Sequence, residues 1–232
     1  MPKRHLKLLA APKSWPVKRK STVWITRPNP GAHKLVESLS ISLVLKLLKA
    51  TKTAKETREV INQRAVLVNN KPVKSSKFPV GLFDVVSLQN KDFYRLTYNS
   101  RGRFTLVKVP KGEENIFPHK ILNKTLLKNK KIQLNFHNGF NLLIDENKYN
   151  TNDVLVLDKD KVKDHISFEK GALVYIAKGK HLGEIAKINT IHEKTPLNKH
   201  VLLELNDQKV DIPKSYVFVI GKTKPILNLK NE

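Results

Sequence analysis

The spacing of hydrophobic residues predicts two short helices near the start of the chain. Between residues 38 and 50, leucine, isoleucine and valine recur at the interval that buries one side of a helix. Thr53 and Glu56 have the spacing of a capping box, in which each residue satisfies a backbone N–H of the other at a helix N-terminus. A second helix is therefore predicted over residues 53–63.

After the second helix the hydrophobic period changes from about 3.6 to two, the period of a β-strand. This alternation predicts strands at 65–68 and 84–88, with a turn at 69–71 and a returning strand at 72–73. Two helices followed by a hairpin and a further strand predict a compact α+β module over residues 37–92.

Beyond this module the pattern is that of short strands separated by turn residues. The predicted strands are 93–98, 103–109, 131–136, 140–145, 153–157, 161–168, 172–177, 185–191, 200–205, 208–212 and 216–221. Residues 119–130 fit either a short helix or another strand. We expect a central β domain over 93–168 and a small barrel over 169–232, which makes the fold class α+β and mostly β.

Composition indicates a folded protein that binds polyanions. The chain has 232 residues, 44 Lys+Arg against 20 Asp+Glu, a net charge of +24 and 40% hydrophobic residues. A charge excess of this size favours association with a polyanion. The absence of cysteine removes disulfides and thiolate metal sites. Apolar stretches fall short of the roughly 20 residues that cross a bilayer, so we expect an intracellular protein without a membrane partner.

The positive charge is concentrated at the N-terminus. Residues 1–36 carry nine Lys/Arg and no carboxylate, together with five of the 12 prolines and both tryptophans. Residues 1–110 carry 23 basic and 5 acidic side chains, a net charge of +18. Because like charges repel and prolines oppose regular structure, residues 1–36 are predicted to form an extended basic arm that orders on nucleic acid.

Signs of catalysis are missing from the sequence. The eight histidines are not spaced as metal ligands, and no P-loop, dinucleotide-binding fingerprint or nucleophile elbow occurs. We therefore predict a protein that is not an enzyme, with no metal, no cofactor and no small-molecule substrate.

The predicted α+β module resembles the S4-type RNA-binding domain. The resemblance lies in the segment VLVNNKPV at residues 66–73 and GLFDVV at 81–86. It implies a basic RNA-binding face formed by Lys46, Lys49, Lys52, Lys55, Arg58, Arg64 and Lys71. The family's usual Ser-Arg pair at the start of the second helix is replaced here by Thr53-Ala54.

Residues 171–188 resemble a KOW motif. Glycines in such a motif let a tight loop between two strands approach a phosphate backbone closely. Lys178, Lys180 and His181 are expected at the loop tip, with Glu184 as an acid among the bases. A structural barrel loop and a protein-docking surface are the alternatives for this segment.

The order of these parts along the whole chain resembles the S4e family of archaeal and eukaryotic small-subunit ribosomal proteins, in its short archaeal form. The order comprises the basic arm, the segment RPNPGAHKL at 27–35, the S4-like module, residues 93–104, the KOW-like segment and VFVIGK at 217–222. The resemblance implies an S4-like domain, a central β domain and a KOW-type SH3-like barrel. It implies a non-catalytic, ribosome-bound cytoplasmic protein that binds ribosomal RNA and contacts neighbouring ribosomal proteins. The alternative is a free RNA-binding translation or transcription factor with a KOW-like barrel.

The remaining candidate RNA contacts are basic or aromatic side chains of the arm and of the turn near residue 102. They are Lys3, Arg4, His5, Lys7, Lys13, Trp15, Lys18, Arg19, Lys20, Arg27, His33, Lys34, Arg101 and Arg103. Trp15 could either stack on an unpaired base or pack in the core. Trp24 is expected in the core because Val23 and Ile25 flank it. Asp84, at the entry to a strand, is expected to accept hydrogen bonds in a turn.

Overall fold

The computed structural model describes residues 5–89, 92–110, 112–128, 131–158, 161–193, 199–205 and 208–228. The chain divides into two compact units, of which the first extends to Asn115 and the second covers Ile116–Asn228. Within the described ranges, no helix is long and apolar enough to span a membrane.

The N-terminal segment, residues 5–36, packs into the first unit. Strand β1 (Leu6–Lys7) pairs antiparallel with β2 (Trp24–Ile25). Leu6, Leu8 and Trp15 are buried, and the amide of Phe104 donates to the carbonyl of Ser14 at 2.8 Å. The prediction of an arm that orders only on nucleic acid is therefore wrong for this segment, because its apolar side chains are part of the core.

The two predicted helices are both present, with shorter bounds. Helix α1 covers Ile41–Leu47 and α2 covers Ala54–Asn62. The capping box is confirmed at the start of α2, where the amide of Glu56 donates to the Thr53 hydroxyl at 3.2 Å. The first predicted turn of α1 is instead strand β3 (Ser38–Ser40), which pairs antiparallel with residues 79–81.

The partner of β3 is β6 (Pro79–Gly81). Five further strands of the first unit are β4 Val66–Val68, β5 Lys71–Pro72, β7 Val85–Leu88, β8 Asp92–Tyr98 and β9 Phe104–Lys108. They form one antiparallel sheet with the order β5-β4-β7-β8-β9. The predicted hairpin is confirmed. The sheet also includes β8 and β9, which the sequence assigned to the central domain, so the S4-like hairpin and these strands share one core.

The second unit begins with a five-stranded antiparallel sheet of order β12-β11-β10-β13-β14. Its strands are β10 Phe117–Leu126, β11 Ile132–Phe136, β12 Asn141–Ile144, β13 Val154–Asp158 and β14 Lys161–Ile166. The segment that fitted either a helix or a strand is therefore largely a strand. Ile121, Leu134, Phe136, Leu155 and Leu157 form its buried cluster.

A second antiparallel sheet of the same unit has the order β18-β17-β16-β15-β19. Its strands are β15 Leu173–Ile176, β16 Ile185–Glu193, β17 Lys199–Leu205, β18 Gln208–Pro213 and β19 Val217–Gly221. The two sheets are joined by Lys120 of β10. Its buried ammonium group donates to the carbonyl of Val217 at 2.6 Å and to those of Lys214 and Ser215 at 3.4 Å.

Candidate nucleic-acid interface

Helix α2 presents two adjacent cations to solvent. Lys55 and Arg58 are three residues apart, so they lie on one face of the helix, and both are exposed. They line a shallow groove together with Glu59, Asn62 and Gln63. A groove with two cations and two amides at its rim has the hydrogen-bond donors that phosphate and sugar oxygens accept.

The acidic residue at the start of α2 is used inside the protein. Glu56 accepts from the backbone N–H of Lys52 at 2.8 Å and from the Thr53 hydroxyl at 3.0 Å. These two hydrogen bonds, led by the Lys52 N–H, hold the pKa of Glu56 below its usual value. The carboxylate thus caps the helix rather than pairing with Lys55 or Arg58.

The other predicted cations of the S4-like module lie at the ends of its elements. Lys46 is exposed on α1, whereas Lys49 lies past the end of that helix with a φ of 57°. The two lysines therefore do not share a helical face. Lys52 and Lys71 are exposed, as is Arg64, which follows α2 with a φ of 56°.

His33 lies inside the protein instead of at the surface. Its Nε2 is 3.0 Å from a carboxylate oxygen of Asp84, and the two side chains are 6% and 7% exposed. Asp84 also accepts from the Gly81 amide at 2.8 Å and from the Asn69 side chain at 2.7 Å. His33 is therefore removed from the candidate RNA contacts, and the expectation that Asp84 satisfies hydrogen bonds in a turn is confirmed.

The charges of His33 and Asp84 stabilise each other and so oppose the effect of burial on both groups. Burial alone would lower the pKa of His33, but the charge of Asp84 and the hydrogen bond to it raise that pKa above 6.5. Burial would likewise raise the pKa of Asp84, yet His33 and the Gly81 and Asn69 donors lower it. The ring of His33 packs so closely on Gly81 that a Cβ there would overlap it.

The two tryptophans occupy opposite environments. Trp15 is 2% exposed, so its packing in the core answers the alternative that the sequence left open. Trp24 is 57% exposed, and its expected place in the core is wrong. The cause is strand alternation, because in β2 the neighbouring Ile25 takes the inward position.

Most cations of the N-terminal segment are accessible. Exposed side chains are His5, Lys7, Lys13, Lys18, Arg19, Lys20 and Lys34, while Arg27 is partly buried. Lys3 and Arg4 lie outside the described residues. The exposed members thus remain available to a polyanion even though the segment itself is packed into the unit.

The turn between β8 and β9 presents two arginines. The side-chain oxygen of Asn99 accepts from the backbone N–H groups of Arg101 and Arg103, both at 3.0 Å. Gly102 between them has a φ of 68°, a conformation that favours glycine. Both arginines are exposed on a turn whose backbone is fixed by these hydrogen bonds.

The loop between β15 and β16 presents fewer exposed cations than the turn between β8 and β9. Lys180 is exposed and Lys178 is partly buried. His181 is 3.0 Å from a carboxylate oxygen of Glu184, so the acid in this motif pairs with one of its bases. Gly179 has a φ of 99° and lies against the ring of Tyr216, which fixes the loop backbone. Only Lys180 of the three predicted contacts is a fully exposed cation.

Two other acidic side chains of the first unit pair with bases outside the groove. Glu113 pairs with the buried Arg95 at 3.4 Å, and Asp92 pairs with Lys108 at 3.4 Å. Within the described ranges, no ion pair involves Lys55 or Arg58. Nor do the described residues contain a cluster of three or more histidine, aspartate or glutamate side chains that could hold a metal ion.

Comparison with known proteins identifies the family to which the sequence is similar. Residues 1–36 match the RS4NT domain, residues 43–86 the S4 domain and residues 90–163 the ribosomal family S4e. The small ribosomal subunit protein eS4 of Methanocaldococcus jannaschii is 40% identical over 98% of both chains. The chain belongs to the eS4 family. The predicted resemblance to S4-type domains and to this family is confirmed.

Further members of the eS4 family support the assignment. The small ribosomal subunit protein eS4 of Methanosphaera stadtmanae is 37% identical over 98% of this chain and 96% of its own. The crystal structure of the 30S ribosomal protein S4e from Thermoplasma acidophilum superposes with a TM-score of 0.68 at 27% identity, covering 81% of this chain and 95% of that one. The mostly β fold with two helices is therefore a family property.

Sequence reasoning missed two features of this eS4-family chain. The outward position of Trp24 could have been found from the pairing of β1 with β2, but two-residue strands give no readable period. The burial of His33 follows from a contact 51 residues away in sequence. No local pattern signals such a contact.

Proposed function

We propose that this eS4-family protein is a non-catalytic constituent of the small ribosomal subunit that binds ribosomal RNA mainly through its first unit. The observation that carries the proposal is the separation of charge there. Asp84 is buried and Glu113 is paired with Arg95, whereas Lys55 and Arg58 are exposed on one helix face. The seven predicted cations of the S4-like module are exposed and outnumber the two exposed glutamates of α2, Glu56 and Glu59, so the surface attracts a phosphate backbone.

Recognition by this surface would depend on RNA shape and backbone. Lysines act as point charges toward phosphates, whereas arginines such as Arg101 and Arg103 can bind a phosphate in bidentate fashion. A-form RNA has a narrow major groove that side chains cannot read, so contacts to phosphates and 2′-hydroxyls dominate. The fixed turn at Asn99 holds the two arginines at a defined position for such contacts.

The finer domain assignment belongs to the same proposal. We assign residues 1–36 to the N-terminal part, 37–92 to the S4-like part and 169–232 to a KOW-type SH3-like barrel. Of the predicted central β domain, 93–168, we keep residues 116–168, because β8 and β9 belong to the sheet of the first unit. The barrel assignment is supported by five antiparallel strands and by the positive φ of Gly179 and Gly183 in the first connecting loop. Family membership supports a ribosome-bound cytoplasmic location and contacts with neighbouring ribosomal proteins.

Charge removal at the S4-like surface tests the proposal. The probe is transcribed small-subunit ribosomal RNA of Methanocaldococcus jannaschii, with affinity measured by filter binding across a salt titration. Replacement of Lys46, Lys49, Lys55 and Arg58 together by Gln should lower the affinity on the order of a hundredfold or more at low salt. The log–log salt slope should flatten by up to about 3.6, since each of the four phosphate contacts contributes about 0.9.

A matched variant removes four exposed lysines from the second unit, Lys131, Lys163, Lys187 and Lys209, each replaced by Gln. The change in net charge is the same, so a general field effect would weaken both variants equally. We expect the control to lose less than about tenfold in affinity. Equal losses in the two variants would contradict an interface in the first unit.

A further inference from the structure

The short ribbon formed by β1 and β2 has two distinct faces. Leu6 lies opposite Ile25 and Lys7 lies opposite Trp24. Directly opposed residues in an antiparallel pair share a face. The face with Leu6 and Ile25 is turned toward the core, where Leu6 is 8% exposed. The other face therefore presents Trp24 and Lys7 together to solvent.

The indole of Trp24 is held in place although most of it is accessible. The ring of His5 packs against it in a T-shaped arrangement, with centroids 5.7 Å apart and an interplanar angle of 61°. The carbonyl of Trp24 accepts from the Thr22 hydroxyl at 3.1 Å, and the ribbon continues through the amide of Leu8, which donates to Val23 at 3.0 Å. Even so, 57% of the Trp24 residue is exposed.

An exposed aromatic ring between two basic side chains fits one kind of partner. His5 and Lys7 flank the indole, and no carboxylate precedes Glu37 in the chain. The surroundings thus favour an anion that also carries a flat aromatic group. A nucleotide has both, since every base offers a face for stacking and every phosphate a negative charge.

We propose that Trp24 is a stacking platform for an unpaired ribosomal RNA base, and that Lys7 and His5 contact the phosphates on either side of it. This inference rests on the proposed function and deepens it, because it names an unpaired nucleotide as the ligand of the N-terminal segment. Trp15 cannot serve in this way, since it is 2% exposed.

The test compares two RNA probes that differ only in unpaired bases. One is a blunt-ended RNA duplex, and the other is the same duplex with a short oligoadenosine overhang. Trp24→Leu removes the aromatic ring and keeps an apolar side chain. We expect it to weaken binding to the overhang probe about 5- to 100-fold, from the usual effect of losing one stacked base. Binding to the blunt duplex should change less than about twofold.

Three accompanying measurements identify stacking as the cause. Trp24→Phe keeps a ring and should recover most of the affinity. The salt slope of Trp24→Leu should equal that of the wild type, because no charge is removed. Oligoadenosine should quench the fluorescence of the wild type but not that of Trp24→Leu, in which the buried Trp15 is the remaining tryptophan. Val36→Ala, at another exposed apolar position of the segment, should behave as the wild type.

Several results would overturn the proposal. Normal binding of Trp24→Leu to the overhang probe would show that no base stacks there. An equal loss on both probes would show a general contact without stacking, and a loss confined to binding of ribosomal proteins would assign Trp24 to a protein interface. Failure of the wild type to bind either RNA would instead refute the proposed function itself.

Discussion

The two units of the chain hold their buried bases in different ways. In the first unit the buried Arg95 pairs with Glu113 at 3.4 Å. In the second unit the buried Lys120 is held by backbone carbonyls. Each unit also buries an aspartate beside a histidine, Asp84 beside His33 in the first and Asp153 beside His165 in the second.

The two units also differ in net charge. Residues 1–110 carry a net charge of +18 and residues 111–232 a net charge of +6. Composition alone gives this imbalance but does not place it on a face. Burial of Asp84 and pairing of Glu113 with Arg95 take two carboxylates away from the exposed cations of the first unit. The contact between His33 and Asp84 also fastens the N-terminal segment to the unit.

Truncation of Trp15 should give the largest effect, and only in the first unit. Trp15→Ala removes a fully buried indole from the N-terminal segment, which should lower the free energy of unfolding by about 3–5 kcal/mol. Urea denaturation followed by pulse proteolysis, with fragments assigned to each unit, measures the two stabilities separately. The second unit should unfold at an unchanged urea concentration.

Trp24→Ala is the matched control for this experiment. Because Trp24 is largely exposed, its truncation should change the free energy of unfolding by less than about 0.5 kcal/mol. If Trp15→Ala were as mild as its control, the N-terminal segment would not belong to the core of the first unit.

The contrast between the tryptophans also shows what sequence reasoning could recover. The capping box at Thr53, the hairpin at 66–72 and most strands after residue 92 followed from local patterns, because each depends on neighbours a few positions away. The environments of Trp15 and Trp24 depend instead on the register of β1 with β2 and on the backbone hydrogen bond from Phe104 to Ser14. Such long-range contacts leave no periodic signal.

Only part of the candidate site could likewise be predicted from the sequence. Lys55, Arg58, Arg101 and Arg103 are exposed as expected, since their positions follow from one helix and one turn. His33 was misplaced because a histidine in a basic segment looks like its neighbours until the fold brings Asp84 to it. The helix α1 was predicted too long, since the residues that pair as β3 also fit a helical interval.

The buried charges should make the two units respond to pH in opposite directions. Despite burial, the charge of Asp84 raises the pKa of His33 above 6.5 in the folded state. The protonated His33 therefore stabilises the first unit below pH 6.5, and this stabilisation is lost as pH rises through the raised pKa. Burial, together with the charges of Lys178 and Lys214, lowers the pKa of Lys120 to about 7 from 10.5. The second unit should therefore gain stability as pH rises from about 7 toward 10.5.

Pulse proteolysis in urea at pH 6, 7 and 9 measures both shifts. The second unit should gain about 2 kcal/mol between pH 7 and 9, because one proton released on folding is worth at most about 1.4 kcal/mol per pH unit. The first unit should lose stability between pH 6 and 9. Lys120→Met should abolish the gain and Asp84→Asn the loss. A stability change of the same sign in both units that persists in these variants would show that Lys120 and the His33–Asp84 pair do not cause the pH dependence.

The smallest effect on RNA affinity is expected from a substitution in the loop between β15 and β16. This loop gives the most direct test of whether the second unit also binds RNA. Lys180 is the exposed cation of this loop, while His181 is paired with Glu184. Lys180→Gln should reduce RNA affinity by less than about threefold, well below the effect of Lys55→Gln, for which one lost phosphate contact predicts up to about tenfold at low salt. Filter binding with the same ribosomal RNA transcript measures both. If Lys180→Gln flattened the salt slope as much as Lys55→Gln, the second unit would contribute its own phosphate contact, and charge pairing would not distinguish the RNA-binding surface from the rest of the molecule.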